Sequence, residues 1–245
     1  MAIIVTIANQ KGGVSKTTTA HSLLRALQEK GMRVLGADAD GQMDLSWVSQ
    51  ANTDLIGMAE ILKGEESDIH EVIQSTPQGD FIAGSEELDI LDKGLEDTTK
   101  LSKALQQIHG EYDFVIIDTP GNLGDNMISA FSASDYVIIP TTTDAFPIKN
   151  ISRLFKSIHY TWKHNNPNLK VAGILITRVD ERTTLEEDFI RPVEIAAENI
   201  DSSVFKTRIR EFVDLRRAQG NRISLFDKFP KSKATQDYRN FTEEF

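Results

Sequence analysis

The sequence predicts an α/β fold, a mostly parallel twisted sheet with helices on both faces. Continuous apolar runs, which suit strands buried on both faces, alternate with helical patterns along the chain. The chain has 245 residues, enough for a substantial core, and its sequence shows no repeat, low-complexity tract or linker. We therefore expect a single domain over residues 1–245.

Five apolar runs mark the main predicted strands. They cover residues 3–8, 33–38, 114–118, 136–140 and 171–177. A helical pattern follows the first run, and Gly31 and Gly110 are typical of helix C′ positions. The pattern is least regular over residues 43–100, where we expect short helices and one strand near residues 81–83.

Residues 9–19 are the most informative segment, because they form a glycine-containing loop between the first strand and the first helix. They read Asn-Gln-Lys-Gly-Gly-Val-Ser-Lys-Thr-Thr-Thr. Such a loop directs backbone N–H groups and the positive end of the helix dipole towards an anion. Lys16 can reach the β- and γ-phosphates of a nucleotide, and the Thr17 hydroxyl can bind Mg²⁺. The alternative is an incidental Gly-Gly turn, against which two further motifs argue.

The loop departs from the ordinary phosphate-binding pattern, because Gln10 and Ser15 replace its outer glycines and Lys11 adds a second lysine. Lys-Gly-Gly-x-x-Lys-Thr-Thr resembles the deviant Walker A motif of the ParA/MinD family of dimeric ATPases. The resemblance implies a P-loop NTPase-type fold, ATP and Mg²⁺ as cofactors, and a Lys11 that reaches the partner chain's nucleotide. The implied nucleotide-binding residues are Lys11, Gly12, Gly13, Val14, Ser15, Lys16, Thr17 and Thr18. If position 15 requires a positive φ, serine costs about 1 kcal/mol there.

Two aspartate motifs complete the predicted site. Asp118 ends a buried strand and precedes Thr-Pro-Gly, a position suited to a Walker B carboxylate that holds Mg²⁺. Residues 38–42 read Asp-Ala-Asp-Gly-Gln and resemble the family's Asp-x-Asp-Pro-Gln, with Gly41 in place of proline. By that match Asp40, with Lys11 and Lys16, is catalytic and polarises the attacking water, while Asp38 supports the Mg²⁺ ligands. The alternative is that both aspartates cap the following helix.

Two segments are candidates for adenine recognition. Arg178 follows the strand of residues 171–177, at the sheet edge where nucleotides bind. A surface arginine without a ligand is the alternative. Residues 205–210 resemble the family's Phe-x-Thr-x-Ile-Pro stretch, but Arg210 replaces the proline.

Composition excludes several classes of protein. The chain has no cysteine, which excludes disulfides, Cys nucleophiles and the cysteine-bound clusters of related iron–sulfur dimers. No apolar stretch approaches the ~20 residues of a membrane span, and a strand begins at residue 3. We therefore expect a cytoplasmic protein of the short ParA form, without an N-terminal helix-turn-helix.

Charge is distributed unevenly along this acidic chain of net charge −10. Residues 54–97 hold 13 acidic and 2 basic side chains, whereas residues 206–239 hold 10 basic and 4 acidic ones. Such polarity favours a basic face for phosphate, with an ordinary solvated surface as the alternative. We expect DNA contacts among Arg208, Arg216, Arg217, Arg222, Lys228 and Lys231.

The C-terminal segment separates ParA from MinD. Residues 231–238 are similar to the Lys-Ser-Lys-Gly-Ala-x-x-Tyr that opens the last helix of ParA proteins, whereas MinD ends in a basic amphipathic membrane helix. Residues 240–245 carry two glutamates, which anionic lipid would repel, so we expect no membrane binding.

The resemblance implies an ATP-dependent homodimer that binds double-stranded DNA nonspecifically, at the nucleoid. A ParB-type centromere-binding partner would stimulate hydrolysis. One alternative is a MinD-like ATPase that positions a protein cargo or acts at a membrane. Another is a metabolic P-loop enzyme, such as a dethiobiotin-synthetase relative.

Overall fold

A central sheet of seven strands organises the described part of the chain. The computed structural model describes residues 1–142, 147–180 and 189–245, and within them all side chains except those of residues 147–150 and 219. The strands are β1 Ile3–Ile7, β2 Val34–Asp38, β3 Ile73–Thr76, β4 Gly79–Ile82, β5 Phe114–Asp118, β6 Tyr136–Thr142 and β7 Lys170–Thr177. Their order is β3-β4-β2-β5-β1-β6-β7, and β3 alone runs antiparallel to its neighbour.

Helices join and follow the strands. They are α1 Lys16–Glu29, α2 Asp44–Val48, α3 Met58–Lys63, α4 Ile69–Val72, α5 Glu87–Leu91, α6 Lys100–Leu105, α7 Asp125–Ala133, α8 Pro147–His164, α9 Arg191–Glu198, α10 Val213–Gly220, α11 Leu225–Lys228 and α12 Lys233–Glu244. Gly31 follows α1 with φ 79°, and Gly110 has φ 96°, as their predicted C′ positions require. Ser232 caps α12 by accepting a bond from the Thr235 N–H at 3.2 Å.

Both faces of the sheet are buried, which explains the continuous apolar runs. In β5 the side chain of Ile116 joins a cluster with residues of α1 and α12. Val115 and Ile117 point to the opposite face and pack with residues of α3 and α6. The predicted mostly parallel sheet with helices on both faces is confirmed.

The sequence did not predict β3, although all other strands correspond to predicted runs. Its four residues read Ile-Gln-Ser-Thr, and they form a hairpin with β4 in which Thr76 pairs with Gly79. An edge strand is covered on fewer sides than a central strand, so it needs no apolar run. This explains why the pattern over residues 43–100 was hard to interpret.

Strand register brings the predicted motifs to one edge. Asp118 at the end of β5 is the register partner of both Ile7 in β1 and Asp38 in β2. The loop that follows β1 therefore lies beside the two aspartate motifs, outside the carboxyl ends of the central strands. This is the edge at which open α/β sheets bind ligands.

Candidate functional site

A cleft of about 740 Å³ opens at this edge. The phosphate-loop end of α1 forms its floor, and α10 and α11 form one wall. The lining residues that were predicted as site residues are Gly12, Gly13, Ser15, Lys16, Thr17, Thr18, Asp40, Arg178 and Arg222. Val14 instead has its side chain buried, and Lys11 does not line the cleft.

The loop backbone adopts the conformation that an anion cradle requires. Gly13 has φ 73° and Ser15 has φ 66°, both in the left-handed region. A Cβ built on Gly12 or Gly13 would meet no atom within 4 Å, so the space above the loop is open to a ligand. Ser15 is the N-cap of α1, and its left-handed conformation carries a strain of about 1 kcal/mol that glycine would avoid.

Lys16 lies in the centre of the cleft floor. Its side chain curls back over the loop, and Nζ donates to the Lys11 carbonyl oxygen at 3.3 Å. A Cβ built on Gly121 would lie 3.4 Å from this Nζ, so the loop after β5 borders the lysine closely. The ammonium group is therefore placed where phosphate oxygens would lie against the loop N–H groups.

Thr17 and Asp118 form the side of the site that suits a cation. The Thr17 hydroxyl donates to Asp118 Oδ2 at 2.6 Å, whereas the buried Asp118 Oδ1 accepts no bond from any described residue. Burial, and then repulsion from Asp38, raise the pKa of Asp118 well above its usual value. A hard divalent cation with oxygen ligands would offset that burial, so these residues fit Mg²⁺.

Asp38 is committed to the neighbouring helix. Its Oδ2 accepts bonds from both the N–H and the hydroxyl of Ser46 at 2.8 Å, and its Oδ1 accepts from the Asp40 N–H at 3.1 Å. It thus caps the first turn of α2, as the alternative interpretation of this residue holds. Burial raises its pKa, which a nearby cation would counteract.

Asp40 lines the cleft and lies beyond the strand end. Its Oδ1 accepts a bond from the Gln42 N–H at 3.0 Å, and no described residue donates to its Oδ2. Burial raises the pKa of Asp40, while the charge of Lys16 opposes the shift. A half-buried carboxylate with one uncommitted oxygen can accept a proton from water in the cleft.

The two candidates for adenine recognition are placed differently. Arg178 has φ 57° directly after β7, and its guanidinium donates to the Gly13 carbonyl oxygen and to Glu211, both at 3.2 Å. Arg210 lies outside the cleft and forms a bidentate pair with Asp237 of α12, at 2.6 and 2.9 Å. The arginine that replaces the family's proline is therefore part of the contact with α12.

Ion pairs hold two of the six cations predicted to contact DNA. Arg222 pairs with Asp44 at 2.9 Å and lies over the Trp47 ring, and Arg216 pairs with Glu211 at 3.4 Å. Arg208 is half-buried. The remaining three are exposed and form no ion pair with another described residue; they are Arg217, Lys228 and Lys231.

Several lining residues were not among the predicted site residues. His21 and Asn122 adjoin predicted motifs in sequence, so their proximity was a usable signal. Asp89 of α5 also lines the cleft, against Gly41. The only sequence signal for such a contact is the loss of the family's proline at position 41.

Comparison with known proteins agrees with this geometry. The AAA domain model AAA_31 matches residues 2–171. The chain is 32% identical to sporulation initiation inhibitor protein Soj of Bacillus subtilis, over 100% of this chain and 98% of that protein. A putative plasmid partition protein of Borrelia burgdorferi bound to AMPPNP gives a TM-score of 0.79 at 27% identity, over 100% and 98% of the two chains. Cobyrinic acid a,c-diamide synthase of Mycobacterium smegmatis, bound to an ATP analog and magnesium, gives 0.82 at 27% identity, over 99% and 93%.

The fold and the cleft define a P-loop nucleotide-binding protein. The match over residues 2–171 and the full-length similarity to Soj place it more narrowly. The chain belongs to the ParA/MinD family of partition ATPases.

Proposed function

We propose that this chain is a DNA-partition ATPase that forms an ATP-dependent homodimer. The dimer binds double-stranded DNA nonspecifically at the nucleoid, in the cytoplasm, and a ParB-type partner stimulates hydrolysis. The observation that carries the proposal is the different placement of two lysines of one loop. Lys16 lines the cleft of its own chain, and Lys11 does not. A loop lysine outside its own cleft suits contact with a second chain's nucleotide.

ATP would lie along the loop with its phosphates at the N-terminus of α1. Thr17 Oγ1 and Asp118 would hold Mg²⁺, which neutralises phosphate charge and orients the phosphates for in-line attack. Lys16 provides a second positive charge from the cleft floor. Arg178 links the loop to the far wall through Gly13 and Glu211.

Asp40 is the residue that we propose orients the attacking water. Its Oδ1 is fixed by the Gln42 N–H, which leaves Oδ2 to accept the proton of a water molecule. Burial raises the basicity of this carboxylate. Asp38 acts on it indirectly, because its Oδ1 accepts the Asp40 N–H.

DNA contact is proposed for the basic C-terminal segment, led by Arg217, Lys228 and Lys231. These three side chains are exposed, whereas Arg216 and Arg222 would first have to leave their acidic partners. Exposed cations release counterions from the DNA when they bind phosphate, so affinity should fall steeply with salt.

A membrane role has less support. Tyr238 and Phe241 of α12 are fully buried in the core against α1, so the last helix has its apolar face inside the protein. Within the described ranges no helix combines the length and apolarity needed to cross a bilayer. Cargo positioning and small-molecule chemistry are instead distinguished by experiment.

The test is fluorescence-anisotropy binding to a nonspecific DNA duplex with ATP–Mg²⁺, ADP or no nucleotide. We expect binding with ATP only, loss of binding in Lys11→Ala, and retained or stronger binding in Asp40→Ala. Lys156→Ala removes an exposed lysine of α8 and is the matched control. Absence of DNA binding in every nucleotide state would contradict the proposal and favour a cargo positioner or a metabolic enzyme.

A further inference from the structure

Helix α5 lies beside two loops that border the cleft. One loop, residues 39–43, follows β2 and carries Asp40. The other, residues 119–124, follows β5 and carries two residues that line the cleft, Gly121 and Asn122. Two carboxylates at the end of α5 contact these loops, and each lies directly against a glycine.

Asp89 fills the space above Gly41. A Cβ built on Gly41 would lie 2.3 Å from Asp89 Oδ1, a distance that real side chains do not adopt. Asp89 Oδ2 also accepts a bond from Gln42 Nε2 at 3.4 Å. The residue that replaces the family's proline thus leaves room for a carboxylate from a distant helix, and that carboxylate restrains the loop.

Asp92 makes the corresponding contact with the other loop. It is 4% exposed, and a Cβ built on Gly124 would lie 2.0 Å from its Oδ2. Its Oδ1 accepts the Asn126 N–H at 3.1 Å, and its Oδ2 accepts the Asn122 side-chain amide. Its backbone carbonyl oxygen also accepts the Asp125 N–H at 3.1 Å. Buried, multiply bonded carboxylates of this kind fix the backbone that they contact.

We propose that Asp89 and Asp92 are positioning residues through which α5 holds both loops against the phosphate end of the cleft. Asp89 sets the backbone that carries Asp40, and Asp92 sets the turn that borders Lys16 and Asn122. The effect on turnover rests on the proposed ATPase function, whereas the restraint of the loops does not. Neither carboxylate is assigned a contact with reacting atoms.

Amide hydrogen exchange of the nucleotide-free chain tests the restraint directly. We expect Asp89→Ala to speed exchange in residues 39–43 only, and Asp92→Ala to speed it in residues 121–126 only, by about 10-fold for each 1.4 kcal/mol of lost restraint. Glu86→Gln changes an exposed carboxylate at the start of the same helix and should leave both loops as in the wild type. Asp89→Asn keeps the shape of the side chain and should retain the wild-type exchange of residues 39–43.

Steady-state ATP hydrolysis tests the consequence. Because sub-ångström misplacement of a reacting group slows turnover strongly, we expect kcat to fall about 10-fold or more in either alanine variant, while the nucleotide Kd stays within about twofold. Gly41→Ala should cause a similar loss, since its methyl group displaces the Asp89 carboxylate. Combining Gly41→Ala with Asp89→Ala should restore part of the rate, because the methyl group then has space.

The outcomes separate the two proposals. Wild-type exchange rates in both alanine variants would overturn the positioning role, whether or not the chain hydrolyses ATP. Faster exchange with unchanged kcat would overturn it too, because the loops would then not need the restraint. A wild-type chain without ATPase activity would contradict the proposed function and leave the exchange test to decide the restraint.

Discussion

The phosphate loop and the basic C-terminal segment are both rich in cations, yet the fold uses them differently. In residues 9–19 the loop keeps open space above its glycines, and Lys16 bonds only weakly, at 3.3 Å, to a backbone carbonyl. In residues 206–239 several cations are instead held by carboxylates of other elements. Arg210, Arg222 and Arg239 pair with Asp237, Asp44 and Glu29.

The difference shows what each kind of sequence signal measures. A loop motif fixes backbone conformation over a few residues, so it specifies where its groups point. A cluster of charges along the chain specifies only composition, because each side chain can find an opposite charge on another element. Charge density therefore predicts a basic region more securely than it predicts which cations remain available to DNA.

The largest expected effect lies in the phosphate loop. Lys16→Ala removes the ammonium group from the cleft floor, so we expect kcat/KM for ATP to fall by about 10²-fold or more. Steady-state hydrolysis measures this, with Lys156→Ala as the control for loss of a lysine charge. A loss of less than threefold would mean that the loop is no more committed to phosphate than the basic segment.

His21 links the two regions, because it is buried on α1 near Asp227 of the basic segment. Burial, and then the charge of Arg25, lower the pKa of His21 from 6.5 to about 4, while Asp227 opposes the shift. The unfolded chain therefore binds a proton that the folded chain rejects, and stability is lost as pH falls from 6.5 to 4. This loss amounts to about 3 kcal/mol in the free energy of unfolding.

Urea unfolding at several pH values between 7.5 and 4 measures the effect. His21→Gln should show a flatter dependence of the unfolding free energy on pH than the wild type. His159→Gln removes an exposed histidine of α8 and serves as the control. Equal pH dependence in wild type and His21→Gln would show that the buried imidazole does not link the regions in this way.

Ser15→Gly is expected to have a smaller effect of opposite sign. Relief of the left-handed φ of 66° should raise the unfolding free energy by about 1 kcal/mol. Ser22→Gly, in the interior of the same helix, should lower it by about 1 kcal/mol. Destabilisation by both substitutions, measured by urea unfolding, would mean that the loop is not strained at position 15.

The smallest expected effect separates the cations of the basic segment. Arg217→Ala should flatten the plot of log affinity for DNA against log salt by about one unit, whereas Arg222→Ala should leave the slope nearly unchanged. The reason is that Arg222 already pairs with Asp44. Equal slopes for the two variants, measured by anisotropy titration, would remove the distinction between paired and exposed cations.

Local patterns predicted most of the fold and the centre of the site. The central strands, the loop and the aspartates at strand ends all follow from short segments whose conformation depends on adjacent residues. The contacts of α5 could not be predicted in this way, because Gly41 and Asp89 meet only through the tertiary fold. The same limit applies to β3, whose pairing with β4 is not written in an apolar run.

The central claim is that one chain contains half of a shared ATP site. Light scattering after size exclusion, with ATP–Mg²⁺, ADP or no nucleotide, tests it on the wild type, Lys11→Ala and Asp40→Ala. The account predicts dimers of the wild type and Asp40→Ala with ATP alone, and monomers of Lys11→Ala in every state. A wild type that binds ATP and stays monomeric, or a Lys11→Ala variant that dimerises normally, would contradict it.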